Sequence, residues 1–197
     1  MILTIAVPTI KGRERQFRKL MTKLFRQQIP YLNEVELIHL TDNKEISIGE
    51  KRNKLYNMAR GEYTVMIDDD DDICTGYVGK VIDALITNPD CVGYKELVNW
   101  KGSERGSIIS LKSKEWSNPK PKNGIWYYRT PFFKVPIKTE ICRKVGVKDM
   151  RHGEDHDFSK RMFPYLETEY FIDEYMYIYN APELNTIADR NKRFGIK

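Results

Sequence analysis

The stretch "YTVMIDDDDDI", residues 63–73, joins an apolar run directly to five consecutive aspartates. The apolar residues are β-branched or large, which predicts a central strand covered on both faces. Carboxylates about 4 Å apart repel each other by about 1 kcal/mol in water, and more strongly at a protein surface. The run is either a solvated acidic loop or a site that holds a divalent cation. Its position favours the cation, because ligands of open α/β sheets lie at the carboxyl ends of strands.

Strands and helices alternate along the first half of the chain. Residues 3–10 and 35–40 are apolar enough to form buried strands. A first helix, ended by Pro30, is predicted by apolar residues at helical spacing: Phe17, Leu20, Met21, Leu24 and Phe25. Residues 48–61 predict a second helix. Residues 76–87 predict a third, with these side chains inward: Val78, Val81, Ile82, Leu85 and Ile86. This βαβαβα order predicts a parallel sheet with a nucleotide-type crevice.

The pattern changes after about residue 90. Residues 91–137 predict strands or ordered loops, and short helices are expected at 138–145 and in "GEDHDFSKRMF". "YFIDEYMYIYN" predicts one or two late strands. We expect one domain over residues 1–197, with a nucleotide-binding half (1–90), a second half (91–180) and a tail (181–197).

Composition narrows the class of protein. The 197 residues are 41% hydrophobic and 31% charged, and no apolar run approaches the roughly 20 residues that span a bilayer. Three scattered cysteines suggest reduced thiols, so we expect a soluble cytoplasmic protein. The net charge is +5, yet residues 101–138 carry nine Lys or Arg against two acids, a net of +7. A segment with this concentration of positive charge often binds a polyanion.

Polar residues at the ends of the first two predicted strands are candidates for ligand binding. The backbone at Pro8 and Thr9 could contact a nucleobase, and Arg13 could bind a phosphate. Asp42 could accept a hydrogen bond from a base or a ribose. The alternatives are a plain turn and a turn aspartate.

Two further motifs carry candidate residues. In "IGEKRN", Gly49 would permit close backbone approach and Arg52 could reach the crevice, unless this is an ordinary charged surface helix. In "GEDHDF", Glu154 and Asp155 either compensate a helix dipole or include a general base.

Taken in order, "VPTIKGR", "IGEKRNKLYNMARGEY", "VMIDDDDD" and "GEDHDF" resemble the family 2 glycosyltransferases of the GT-A fold. The resemblance extends over roughly residues 1–180 and implies a Rossmann-like, mostly parallel sheet with helices on both faces, plus a small mixed region on the acceptor side. It implies a small, phage-like, inverting hexosyltransferase that uses Mn²⁺ or Mg²⁺ and a UDP-sugar, with glucose as the expected sugar. The half at residues 91–180 would then bind the acceptor and carry the catalytic base.

The resemblance also implies roles for individual residues. Asp68 and Asp70 match the family's Asp-x-Asp motif and would hold the metal, although the run of five lets Asp69 or Asp71 take either role. Asp155 would be the catalytic base, with Glu154 in support. The nucleotide-sugar would lie against Pro8, Thr9, Arg13, Asp42, Gly49, Arg52, Asp68 and Asp69.

The acceptor is left open by the resemblance. The stretch "WYYRTPFFKVP" interleaves aromatic and basic side chains, so the candidate acceptor contacts are Trp126, Tyr128, Arg129 and His156. The acceptor hydroxyl could belong to a glycan or to a hydroxymethylated base in phage DNA, flipped out of its stack. The aromatics could equally be core and the lysines solvated.

Two other classes of protein remain open. A metal-dependent nuclease or phosphoesterase could use the same carboxylates. A non-catalytic nucleic-acid-binding module could use the basic segment. Nucleotide binding separates the glycosyltransferase from both.

Overall fold

The computed structural model describes residues 1–100, 102–150 and 152–181, so the predicted tail, apart from Ala181, lies outside the described residues. The strands are β1 (Leu3–Ile10), β2 (Val35–Asp42), β3 (Tyr63–Met66), β4 (Asp72–Ile73), β5 (Cys91–Trp100), β6 (Ser103–Ile109), β7 (Ile125–Arg129), β8 (Ile137–Lys138) and β9 (Glu169–Asn180). The α-helices are α1 (Glu14–Gln28), α2 (Ile48–Met58), α3 (Tyr77–Leu85), α4 (Thr139–Val145) and α5 (Glu154–Met162). Within these ranges, no helix is long and apolar enough to cross a membrane.

One sheet runs in the order β2-β1-β3-β8-β5-β6-β7, and β9 pairs with both β5 and β4. The first half of the chain supplies the parallel part, since β1 lies parallel to both β2 and β3. The second half mixes directions: β8 is antiparallel to β3 and β5, whereas β9 is parallel to β5. The predicted α/β class, with a mixed second half, is therefore confirmed.

The parallel register brings the ends of three strands to one edge of the sheet. Ile10 pairs with Asp42 across β1 and β2, and Ala6 pairs with Met66 across β1 and β3. The residues that follow each strand therefore meet at the carboxyl edge, where ligands of α/β sheets bind.

The helices pack in two groups, α1 with α3, and α2 with α4, which also contacts α5. In α1 the inward line is Leu20, Leu24 and Gln28. Two residues predicted to point inward do not, since Phe25 is 56% exposed and Ile86 is 70% exposed. Phe25 lies about 100° around the helix from Leu24, and Ile86 follows the last residue of α3.

Candidate functional site

The aspartate run is divided among three directions. Asp68, Asp69 and Asp70 line a cleft at the carboxyl edge of the sheet. Asp71 points into the protein, where its carboxylate accepts hydrogen bonds from the Tyr177 hydroxyl (2.6 Å) and the Asn180 backbone N–H (2.9 Å).

The last aspartate faces helix α1. Asp72 bonds Lys23 Nζ at 2.8 Å and lies 3.6 Å from Lys19 Nζ. Because Asp69 and Asp71 are only 2% and 6% exposed, the run is not a solvated loop. Asp71 is also too occupied by its own partners to serve the cleft.

The first cleft has a volume of about 410 Å³. It is lined by Pro8, Thr9, Ile10, Arg13, Ile48, Lys51, Arg52, Asp68, Asp69, Asp70, Tyr179 and Asn180. Arg13 donates to Asp69 (2.7 Å) and Asp70 (3.1 Å), and the Thr9 hydroxyl donates to Asp69 at 2.6 Å. Asp69 therefore fixes Arg13 and Thr9, while Asp68 and Asp70 keep carboxylate oxygens for a ligand.

Lys51 connects the second strand to this cleft. Its ammonium binds the Asp42 carboxylate and donates to the Thr9 carbonyl at 2.6 Å. The hydrogen bond from Lys51 to the Asp42 carboxylate holds the pKa of Asp42 below its usual value. Asp42, predicted to bind nucleotide, pairs with Lys51 and does not line the first cleft itself.

Gly49 was also predicted to line the nucleotide site, but the structure gives it a packing role. A Cβ atom at Gly49 would lie 2.5 Å from the Lys148 carbonyl oxygen, so the close approach is to the protein's own backbone. Gly49 is not among the residues that line the first cleft.

Arg52 stands between the first cleft and a neighbouring cavity. Its side chain is 4% exposed, donates to Glu154 at 2.8 Å and lies 3.5 Å from an Asp68 oxygen. Its guanidinium stacks on Phe133, 3.5 Å from the ring centroid. A carboxylate on each side and an aromatic ring below fix Arg52 in place.

The second cavity has a volume of about 670 Å³ and shares Arg52, Asp68 and Tyr179 with the first cleft, so the two are adjacent. Its other lining residues are Glu96, Val98, Trp100, Ser107, Trp116, Asn118, Tyr127, Arg129, Phe132, Phe133, Lys134, Glu154 and Asp155. Aromatic and carboxylate side chains together line this cavity.

Asp155 is half-buried at the start of α5 and lines the second cavity. Burial raises the pKa of its carboxyl, and the neighbouring charge of Glu154 raises it further. A carboxylate with a raised pKa is a stronger base than an exposed one.

The strand register decides which aromatics face the second cavity. Arg129 lines it together with Tyr127, two residues earlier on β7. Trp126 and Tyr128 do not line it, because side chains alternate along a strand. His156 lies beside the cavity, with its ring centroid 5.0 Å from that of Trp116. Sequence reasoning missed Tyr127, although its spacing from Arg129 was a usable signal.

Lys134 and Glu96 form a buried charge cluster at the wall of the second cavity. Lys134 Nζ lies 2.9 Å from Glu96 and 3.4 Å from Asp71. Burial lowers the pKa of Lys134, but attraction to both carboxylates outweighs burial, and the net shift is upward. No pattern in the sequence pointed to this cluster, because its members are distant along the chain.

In its described part, residues 102–138, the basic segment is divided among several places in the structure. Lys134 is buried, and Lys138 pairs with Asp90 at 3.0 Å. Arg105 donates to the Tyr127 hydroxyl at 2.9 Å. The exposed lysines of residues 102–138 lie outside the second cavity: Lys112, Lys114, Lys120 and Lys122.

The carboxylates that line the first cleft are suited to bind a hard divalent cation together with a ligand. Burial raises the pKa of Asp70, the positive charge of Arg13 lowers it, and the negative charges of Asp68 and Asp69 raise it further. Negative charge is therefore concentrated at the first cleft. In the described part of the chain, no three His, Cys, Asp or Glu side chains form a complete metal site. Mg²⁺ is commonly held by one or two carboxylates plus substrate phosphates. Asp68 and Asp70 fit that arrangement.

Comparison with solved structures finds the same fold. S. aureus TarS 1–349, in complex with UDP-GlcNAc, matches with a TM-score of 0.70 and 17% identity, over 93% of this chain and 59% of that one. Mannosyltransferase PcManGT from Pyrobaculum calidifontis, in complex with GDP-Man and Mn²⁺, matches with a TM-score of 0.62 and 12% identity, over 98% of this chain and 61% of that one.

This chain therefore spans less than two thirds of the length of either structure. No protein-family model matches it, and no curated protein matches it. The likeness confirms the predicted GT-A fold, and membership of family 2 stays a prediction.

Proposed function

We propose that this protein is a metal-dependent glycosyltransferase that moves a sugar from a nucleotide-sugar to an acceptor hydroxyl. The observation that carries the proposal is that the first cleft and the second cavity lie side by side and share Arg52, Asp68 and Tyr179. A nucleoside diphosphate would occupy the first cleft, beside Asp68 and Asp70. The sugar would then lie at the junction, within reach of Asp155.

The chain's own residues would orient the donor. Arg13 and Lys51 place positive charge at the first cleft, and Thr9 lies beside them at the end of β1. Asp68 and Asp70 would hold Mn²⁺ or Mg²⁺, which neutralises the diphosphate and improves it as a leaving group. UDP is our preferred carrier because of the resemblance in the sequence and because TarS was solved with UDP-GlcNAc. Glucose as the sugar stays a prediction.

Asp155 would act as general base. It accepts the proton of the acceptor hydroxyl while that oxygen attacks the anomeric carbon. The bond from the anomeric carbon to the diphosphate oxygen breaks, and its electron pair leaves with the diphosphate. Displacement in one step inverts the anomeric configuration. Glu154 is held by Arg52, so it supports the site through an ion pair and does not compete for this proton.

We propose a neutral glycan as the acceptor. Trp100, Trp116 and Tyr127 line the second cavity, and aromatic rings of this kind can pack against a sugar ring. Two of the three cations that line this cavity are held by carboxylates, Lys134 by Glu96 and Arg52 by Glu154, and the third, Arg129, donates to the Ser117 and Tyr128 carbonyls. A DNA acceptor would require a surface for phosphates, and this cavity carries four carboxylates: Asp68, Glu96, Glu154 and Asp155.

The donor assignment is tested by Asp70→Asn. We expect this variant to lose about tenfold or more in metal-dependent UDP affinity, equivalent to about 1.4 kcal/mol, because one carboxylate ligand is removed. Thermal shift and calorimetry with UDP and GDP, with and without Mn²⁺, would measure the change.

The matched control is Asp72→Asn, whose carboxylate faces α1 and not the first cleft. Equal affinity in the Asp70 and Asp72 variants would refute the metal role. Binding of single-stranded DNA with no response to any nucleotide would instead indicate a nuclease or a nucleic-acid-binding module.

The pH dependence of transfer tests Asp155. The base works only when ionised, so kcat/KM should fall as pH drops through its pKa. Since that pKa is raised, the acid limb should lie above the value of about 3.9 for a free aspartate. UDP affinity should be measured over the same pH range, because protonation of Asp70 would weaken UDP binding whereas protonation of Asp155 would slow transfer alone. A rate that stays constant down to about pH 4 would rule out Asp155 as the base.

A further inference from the structure

The outward face of helix α1 combines free basic groups with exposed apolar side chains. Residues 11–28 carry seven Lys or Arg and one acid. Arg15, Arg18 and Arg26 are exposed, and within the described residues none of the three forms a salt bridge, although Glu14 attracts Arg18 through space. By contrast, Arg13, Lys19 and Lys23 are held by aspartates.

Exposed apolar residues follow in the last turn of α1, at Phe25, and just past the end of the helix, at Ile29 and Leu32. Phe25, Ile29 and Leu32 are 56%, 53% and 57% exposed. Steps of three and four residues place side chains on one side of a helix, and this side carries Arg15, Arg18, Thr22, Phe25, Arg26 and Ile29. The opposite side, with Leu20 and Leu24, packs into the core.

We propose that this face of α1 binds the surface of an anionic lipid bilayer. A helix with basic groups and large apolar residues on its solvent side is suited to the headgroup region, where arginines meet lipid phosphates and apolar side chains enter the acyl boundary. α1 begins directly after Arg13, which lines the first cleft, so docking here would hold that cleft close to the bilayer.

Two other occupants fit this face less well. A nucleic-acid backbone would satisfy the arginines but offers nothing to Phe25, Ile29 and Leu32. A second copy of the chain, packed about a two-fold axis, would bring the same unpaired guanidinium groups against each other. The bilayer accounts for both kinds of side chain.

Co-sedimentation with vesicles tests this inference without any transfer reaction. The protein should bind vesicles of phosphatidylcholine with phosphatidylglycerol in equal amounts, and should bind far less to phosphatidylcholine alone. Each basic group near an anionic surface contributes about a fivefold change in binding, so Arg15→Gln/Arg18→Gln/Arg26→Gln should bind about a hundredfold more weakly. The matched control, Lys114→Gln/Lys120→Gln/Lys122→Gln, removes equal charge from another exposed segment and should bind normally.

A second variant, Phe25→Ser/Ile29→Ser, tests the apolar part. It should lose vesicle binding while its melting temperature stays near that of the wild type, because both side chains are already exposed. Equal loss in the arginine and lysine variants would overturn the proposal as non-specific charge attraction. Full vesicle binding by the Phe25/Ile29 variant, with DNA binding lost only in the arginine variant, would overturn it in favour of nucleic acid.

Discussion

Asp155→Asn is expected to abolish sugar transfer while leaving nucleotide binding intact. Asparagine has nearly the same shape but cannot take a proton, and general-base catalysis is commonly worth about 10²–10⁴-fold in rate. Asp155 lines the second cavity and not the first cleft, so the affinity for UDP with Mn²⁺ should stay near that of the wild type. The measurement is release of UDP from UDP-sugars in the presence of glycoside acceptors.

Asp157→Asn is the matched control for this prediction. Asp157 lies on the same helix, but its carboxylate bonds Arg161 at 2.7 Å and Lys148 at 3.1 Å, outside both cavities. Its variant should retain transfer. Activity retained by Asp155→Asn would move the base elsewhere, and loss of nucleotide binding in that variant would show that Asp155 serves the donor instead.

Lys134→Met is expected to give a large loss of stability. Lys134 is the shared partner of Glu96 and Asp71, and all three side chains are at most 8% exposed. Removing one partner from a buried ionic cluster costs about 3–5 kcal/mol, because the remaining charges stay buried without compensation. For a chain of this size we expect a fall in Tm of about 6–20 °C by thermal denaturation.

The pH dependence separates this effect from a simple packing defect. Burial already raises the pKa of Asp71 to about 7 in the wild type, against the attraction of Lys134, so this pKa should rise further in Lys134→Met. The folded variant then keeps a proton at a pH where the folded wild type has lost it, so the Tm deficit should grow as pH rises above about 7 and be smaller at about pH 5.

Lys80→Met provides the control for the charge change. Lys80 pairs with Glu174 at the surface, where a salt bridge adds little, so its Tm should stay near that of the wild type. A pH-independent deficit in Lys134→Met, or one no larger than in Lys80→Met, would contradict the account of the cluster.

Local patterns predicted the elements and the edge of the sheet where the site lies. The first strand, Leu3–Ile10, was predicted with the bounds that it has, and the helices that begin near Ile48 and Glu154 were anticipated from their motifs. Parallel pairing then brings Thr9 and Asp68 to one edge by geometry alone.

Contacts between distant parts of the chain determine those features of the site and the fold that local sequence patterns could not predict. Asp71 is withdrawn from the cleft by Tyr177 and Asn180, which lie more than 100 residues further along the chain. The choice of Tyr127 over Trp126 depends on how β7 pairs with β6. Exposure of Phe25 depends on which part of α1 meets α3. None of these is encoded in local periodicity or in a short motif.

The most direct test of the central claim is a crystal structure of the protein with UDP and Mn²⁺, with the metal located by its anomalous signal. We predict one Mn²⁺ bound by Asp68 and Asp70 together with the diphosphate, and the uridine in the first cleft near Thr9. Metal bound between Asp68 and Glu154 or Asp155, with no nucleotide in the first cleft, would contradict a glycosyltransferase and support a metal-dependent nuclease.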